Sequence, residues 1–207
     1  MHTTVVDHPL AAQALTRLRD ETTDRAAFRA AMDDLAGILV VEATRSLPVV
    51  DVDVTTPLVA ARGVRVDPPP LTVPVLRAGL GLLPGVLRLL PDAPTGFIGV
   101  ARDEDTHEPV PYMDSVPADL GGRPVLVLDP MLATGGSLAF ACELLRGRNP
   151  GRLTAVCVLA APEGVARISA SGLVDELVMA AIDDHLDERA FIVPGLGDAG
   201  DRLFGTA

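Results

Sequence analysis

Behind Asp24, where a capping side chain is wanted, Phe28, Met32, Leu35 and Leu39 recur at three- and four-residue spacing, which predicts an amphipathic helix over residues 24–46. Its apolar stripe suits it to cover one face of a sheet. Five short β-rich runs follow, at 71–76, 95–101, 124–128, 153–159 and 176–182. Several are almost continuously apolar, the pattern of strands buried on both faces. Helical patterns at 135–146 and 163–171 lie between them, and the alternation predicts an α/β fold with a mostly parallel sheet and helical crossovers. Residues 102–117 are polar and carry prolines, so they read as a hairpin or mobile flap outside the core. The tail from 194 to 207 holds four glycines and little periodicity. Within it and just before it, 192–199 reads as a loop, because Pro194, Gly195 and Gly197 interrupt any regular element.

Composition narrows the class. The chain has 207 residues, 48% hydrophobic and 22% charged, which is enough apolar surface for one folded core. No apolar run approaches the roughly 18 residues of a spanning helix, and the first six residues lack the basic-then-apolar order of a secretory signal. A soluble, cytoplasmic protein with no membrane partner is expected. The 28 acidic and 17 basic residues give a net charge of -11, which repels a phosphate backbone at long range, so nucleic acid is not expected as a partner. All 17 basic residues are arginine. Schiff-base chemistry on a lysine is thereby excluded, and anion contacts must come from arginine or backbone amides. Cys142 and Cys157 fall on apolar stretches without ligand spacing and read as buried, reduced thiols. The histidines show no metal-type spacing, so no protein-held metal site is expected; His107, in the flap, reads as a solvated loop residue.

The sharpest chemical feature is the string Val125-Leu126-Val127-Leu128-Asp129-Pro130-Met131-Leu132-Ala133-Thr134-Gly135-Gly136-Ser137, followed directly by a helical pattern. A buried strand running through a small-residue turn into a helix aims unpaired amides at the positive end of the helix dipole. The glycines let backbone approach an anion, and Thr134 and Ser137 add hydroxyl donors. The string lacks the Gly-Lys-Ser/Thr ending of a Walker A loop and the GxGxxG spacing of a dinucleotide fingerprint. Asp129, at the carboxyl end of the strand, can accept from paired ribose hydroxyls or can serve as a turn former. In Val75-Leu76-Arg77-Ala78-Gly79 the order strand, glycine-bearing turn, helix recurs. There Arg77 can grip a diphosphate bidentately or pair with a surface acid.

Taken whole, Asp129 to Ser137 resembles the ribose-phosphate loop of the type I phosphoribosyltransferases, and its wording is similar to that of the uracil phosphoribosyltransferase family in particular. Most relatives carry a second acid where this chain has Pro130. The resemblance extends through Asp7-His8-Pro9-Leu10, Leu18-Arg19-Asp20, Pro74 to Gly81, Ala160-Ala161-Pro162-Glu163-Gly164 and the tail from Pro194 to Thr206. It implies a twisted, mostly parallel sheet flanked by helices, with a flap and a C-terminal base-binding hood. Residues 1–207 would form one domain, whose N-terminal helices and 191–207 tail make the hood. It implies that Arg77 and Arg102 hold a diphosphate, with a strained peptide bond at the Arg77 loop. Asp129, Pro130, Met131, Leu132, Ala133, Thr134, Gly135, Gly136 and Ser137 would bind the ribosyl phosphate, with Asp198 near it. Ile192, Gly197, Asp198 and Ala199 would read uracil. At Met113 and Ser115 the chain departs from the usual flap residues, so a basic flap contact is missing or replaced, and Phe191 replaces a frequent tyrosine.

The implied reaction joins uracil N1 to the anomeric carbon of 5-phosphoribosyl 1-diphosphate, giving UMP and diphosphate. Charge separates as the bond to diphosphate loosens, and Arg77, Arg102 and a magnesium ion bound mainly through the substrate would stabilise the leaving group. Asp198 is the candidate general base. The family also implies homo-oligomers and, in some members, GTP as an effector. Transfer to a purine or orotate is the rival within enzymes, and the tail loop argues against it. A ribosyl-diphosphate sensor that binds RNA is the rival outside them, and the net charge argues against that.

Overall fold

The computed structural model of the chain describes residues 1–102 and 109–205. In chain order the elements are β1 (His2–Val5), α1 (Pro9–Arg19), α2 (Arg25–Ala43), β2 (Val49–Thr55), β3 (Ala60–Val66), β4 (Leu71–Leu76), a 3-10 turn (Ala78–Gly81) and α3 (Leu83–Leu89). They continue with β5 (Ile98–Arg102), β6 (Pro109–Asp114), β7 (Val125–Leu128), β8 (Met131–Leu132), α4 (Gly136–Arg146), β9 (Leu153–Ala160) and α5 (Pro162–Ser171). The chain ends in β10 (Glu176–Ile182), β11 (His185–Leu186), β12 (Ile192–Val193) and α6 (Ala199–Phe204). Eight strands form one sheet in the order β1-β10-β9-β7-β4-β5-β6, with β8 also on β9. Its pairings are parallel except that of β5 with β6.

The apolar runs are buried on both faces, as their lack of alternation predicts. Along β7, Leu126 and Leu128 join one core cluster with α1, α2, α3 and α6, while Val125 and Val127 join a second with α4 and α5. A strand clad on both sides favours apolar residues at nearly every position, and β9, apolar but for Thr154, is buried along all eight of its residues. Asp24 caps α2 as its position suggests, its Oδ1 accepting from the Ala27 N–H at 2.8 Å. The helix stops at Ala43, short of residue 46, where Thr44 leaves helical geometry and its hydroxyl donates to the Val40 carbonyl at 2.6 Å.

Three differences from the pattern reading stand out. Residues 49–66 form an antiparallel hairpin, β2 with β3, which projects with nearly all its side chains exposed, among them Leu58 at 95%. Strand β5 starts at Ile98 rather than 95, because Thr95 makes only an isolated bridge to Thr72. The tail is not all loop: Ile192 and Val193 pair with β11, and α6 begins at Ala199. Residues 103–108, with His107 and most of the flap tip, lie outside the described residues, as do Thr206 and the side chain of Arg102. No helix among the described residues is long and apolar enough to cross a membrane.

Candidate active site

Strand β4 leads through α3 to β5 on one side, and β7 leads through α4 to β9 on the other. The two neighbours therefore part company at their carboxyl ends, the point where open parallel sheets form a crevice. Arg77 directly follows β4 and Asp129 directly follows β7, and both line a cavity of about 190 Å³ with Thr134, Gly136 and Ser137. The Leu76–Arg77 peptide bond is cis. What draws the two loops together is the absence of side chains: a Cβ on Gly79 would collide with the Leu128 carbonyl oxygen, and one on Gly164 with the Ala133 carbonyl oxygen. Gly164, at the start of α5, thus lets that helix brace the loop from behind.

The loop string divides by side. Asp129, Met131, Ala133, Thr134, Gly135, Gly136 and Ser137 line the crevice. Pro130 and Leu132, also expected there, turn inward. The Pro130 carbonyl accepts from Val158 and Leu159 (2.9 and 3.0 Å), that of Leu132 accepts from Ala161 (2.9 Å), and Leu132 is buried in the core. From Asp129 to Ala133 every second residue anchors the loop to β9 and its end, because the short β8 retains strand alternation. Helix α4 then starts behind Gly135, which has φ 76° and offers no capping side chain. The crevice is thus faced by the first turn of α4, the end of a helix whose unpaired amides and dipole suit an anion.

Burial pushes the Asp129 carboxyl up to about 7, opposed by a hydrogen bond from the Met131 backbone. Arg77 is exposed, and its side chain makes no hydrogen bond or ion pair among the described residues. Cys142 and Cys157 are buried free thiols, Cys142 pushed up by burial to about 12 and Cys157 well above its usual value.

A second cavity, of about 250 Å³, adjoins the first and shares Ala78, Met131 and Ala133 with it. Ile192, Gly197, Asp198 and Ala199 all line it, joined by Phe191 and Arg189. The second pocket is therefore walled by the tail and floored by Met131 and Ala133 of the loop after β7. Asp198 has a structural duty there, since its Oδ1 caps α6 by accepting from the Asp201 N–H at 2.8 Å. Among the described residues its Oδ2 accepts no hydrogen bond.

The comparisons with known proteins bear on this pair of cavities. Residues 5–206 match the family described as uracil phosphoribosyltransferase. Over 205 residues the chain is 55% identical to the uracil phosphoribosyltransferase of Corynebacterium glutamicum, covering 99% of this chain and 97% of that one. The chain belongs to the uracil phosphoribosyltransferase family. A solved structure of the AQ2163 protein from Aquifex aeolicus, 34% identical, superposes with a TM-score of 0.93 over 99% of both chains. A Bacillus anthracis hypoxanthine-guanine phosphoribosyltransferase, 15% identical, shares the fold at a TM-score of 0.51 over 77% of this chain and 80% of that one.

Within this family member, pattern reading missed the residues that hold the tail in place. Arg19 donates to both carboxylate oxygens of Asp183 (2.8 and 2.6 Å) and to the Gly195 carbonyl (2.9 Å), while the Gly195 N–H donates to Asp183 at 2.8 Å. Arg202 donates to the carbonyls of Leu18, Leu196 (3.0 Å) and Asp20 (2.6 Å), and stacks over Phe28 at 4.3 Å. The string Leu18-Arg19-Asp20 and the tail string therefore meet in space. Each was visible as a motif, but nothing in a linear pattern says that two strings 176 residues apart are bonded.

Proposed function

We propose that the chain transfers the 5-phosphoribosyl group from 5-phospho-α-D-ribose 1-diphosphate to N1 of uracil, releasing UMP and diphosphate. The observation that carries this reading is the pairing of an anion seat with an adjoining pocket across a common wall, in a member of this family. Two ligands held on either side of Ala78, Met131 and Ala133 would have their reacting atoms brought together without a bimolecular encounter, which is the chief means by which such an enzyme lowers the barrier.

In this reading the amides at the start of α4 and the hydroxyls of Thr134 and Ser137 hold the 5-phosphate, and Asp129 accepts from the ribose hydroxyls. Arg77 and Arg102 take the diphosphate. As the bond from the anomeric carbon to diphosphate oxygen breaks and that to N1 forms, Arg77 meets growing negative charge on the leaving group. The proton on N1 goes to Asp198 Oδ2 or to water. The tail loop offers main-chain groups of Ile192, Gly197 and Ala199 to the edge of uracil. Magnesium suits the donor set, because the cleft offers few oxygen ligands beyond Asp129 and a hard ion would be held largely by diphosphate and water. When bound it would neutralise leaving-group charge. The reading extends to action in the cytoplasm on small molecules as a single domain, to GTP as a possible effector, and to a homo-oligomer, for which the exposed valines of the β2–β3 hairpin offer an apolar face.

The test is product formation from ribosyl diphosphate, magnesium and a panel of uracil, cytosine, orotate, hypoxanthine and adenine. UMP alone is expected. A purine nucleotide or orotidylate as the main product would overturn the reading.

A further inference from the structure

The anion seat described above is made of neutral donors, yet a phosphate monoester carries close to two negative charges near neutral pH. The helix dipole offsets only about half a charge. One cation flanks the seat and has been given no role. Arg167 lies on α5 one turn beyond Gly164, the residue whose bare Cα lets that helix lean on the loop. Its Cδ is 3.5 Å from where a Cβ on Gly135 would stand, and its Nη1 is 3.7 Å from where one on Gly136 would stand. The space beside Gly136 is the space the phosphate must occupy. Arg167 is exposed, and among the described residues its side chain makes no hydrogen bond or ion pair, although Glu163 stands four positions earlier on the same helix.

We propose that Arg167 binds the 5-phosphate group of donor and product, adding a guanidinium to the amides and hydroxyls of the loop. The inference rests on the reading of the crevice as a ribosyl-phosphate site. A planar fork of N–H donors approaching from α5 meets phosphate oxygens that the amides of α4, arriving along the helix axis, leave unpaired. Arg77, at the end of β4, serves the opposite end of the donor, so the two arginines are separable by ligand.

The experiment is isothermal titration of UMP, uridine and inorganic diphosphate with magnesium into the parent, Arg167→Ala, Arg167→Lys and Arg77→Ala, each checked for folding by its melting temperature. Arg167→Ala is expected to weaken UMP by about ten- to a hundredfold, as for loss of one charge-assisted contact. Diphosphate and uridine should stay within about twofold of the parent, and Arg167→Lys should recover part of the loss. Arg77→Ala should weaken diphosphate and spare UMP. UMP affinity unchanged in Arg167→Ala, or an equal loss for UMP and uridine, would overturn the proposal and leave the site reading standing. Failure of the parent to bind UMP would overturn both.

Discussion

Asp129 owes its raised pKa to a carboxyl withdrawn from water, with one backbone N–H in partial compensation. An unfolded aspartate titrates near 3.9. Between about pH 4 and pH 7 the folded, ligand-free protein thus keeps a proton that the unfolded chain has lost, and its stability falls as pH rises through that window. Above pH 7 the penalty is constant. Asp129→Asn removes it, so this variant should melt higher than the parent at pH 8, with the gap closing towards pH 4, while its affinity for ribosyl diphosphate drops. Melting curves at pH 5 and pH 8 decide the matter: a gap of equal size at both would show that Asp129 carries no raised titration. Gly136 asks a different question of the same loop. Among the described residues, its chain neighbours and its own helix backbone aside, nothing stands closer than 3.7 Å to a Cβ built there, so Gly136→Val should fold with little change in melting temperature. Its side chain would fill the phosphate seat, raising KM for the donor by at least about tenfold, as for one lost anion contact. A folded variant with unchanged donor KM would remove Gly136 from the site.

Among the elements, the hydrogen bonds from Arg19 and the Gly195 N–H outweigh the effect of burial and hold the Asp183 carboxyl below the usual aspartate range, so the pair is charged at neutral pH. They tie the end of α1 and the end of β10 to the first turn of the tail. Arg19→Met should therefore raise KM for uracil more than KM for ribosyl diphosphate, by about tenfold or more if the loop loses its register, because a displaced hydrogen-bonding group costs about as much as a missing one. Steady-state kinetics with each substrate varied in turn would show it, and equal rises in both constants would reduce the pair to a structural tie. The strands were legible because burial on two faces leaves a nearly continuous apolar run, as at β4 and β9, each broken by a single threonine. The hairpin was not read out, since Val-Asp alternation in β2 reports a strand only if something covers one face, and here both faces meet solvent. Helix α6 was missed for a related reason: six residues are too few to display a period, and Asp198 was read for its chemistry and not as the N-cap it also is. The loop residues pointing at the crevice were legible as a string, while the inward turn of Pro130 and Leu132 needed the pairing of β8 with β9.

At the scale of the whole molecule, the loops at the ends of the sheet strands line one cavity and the tail lines the other, so the proposed reaction has its two ligands recognised by different parts of the fold. Gly197, at φ 78°, presents its backbone to the second cavity in a conformation that side chains rarely adopt. Among the described residues beyond its chain neighbours, a Cβ there would meet the Arg202 side chain alone, at 3.8 Å, so the substitution alters the loop more than the packing. Gly197→Val, with Gly197→Ala as the milder companion, should raise KM for uracil and leave diphosphate and ribose 5-phosphate binding near the parent's. Asp129→Asn and Arg77→Ala should show the reverse pattern. In the parent, cytosine brings an amino group where uracil has a carbonyl, which leaves a buried donor of the loop unpaired at about 1–3 kcal/mol. That is a discrimination of roughly ten- to a hundredfold from one contact. 5-Fluorouracil keeps the carbonyls and the N–H and should be accepted. Parallel titrations of uracil, cytosine and 5-fluorouracil into parent and Gly197→Ala test both halves together: selectivity should fall with uracil affinity. If the variant keeps its uracil affinity, or the parent takes cytosine as readily as uracil, base choice does not reside in the tail.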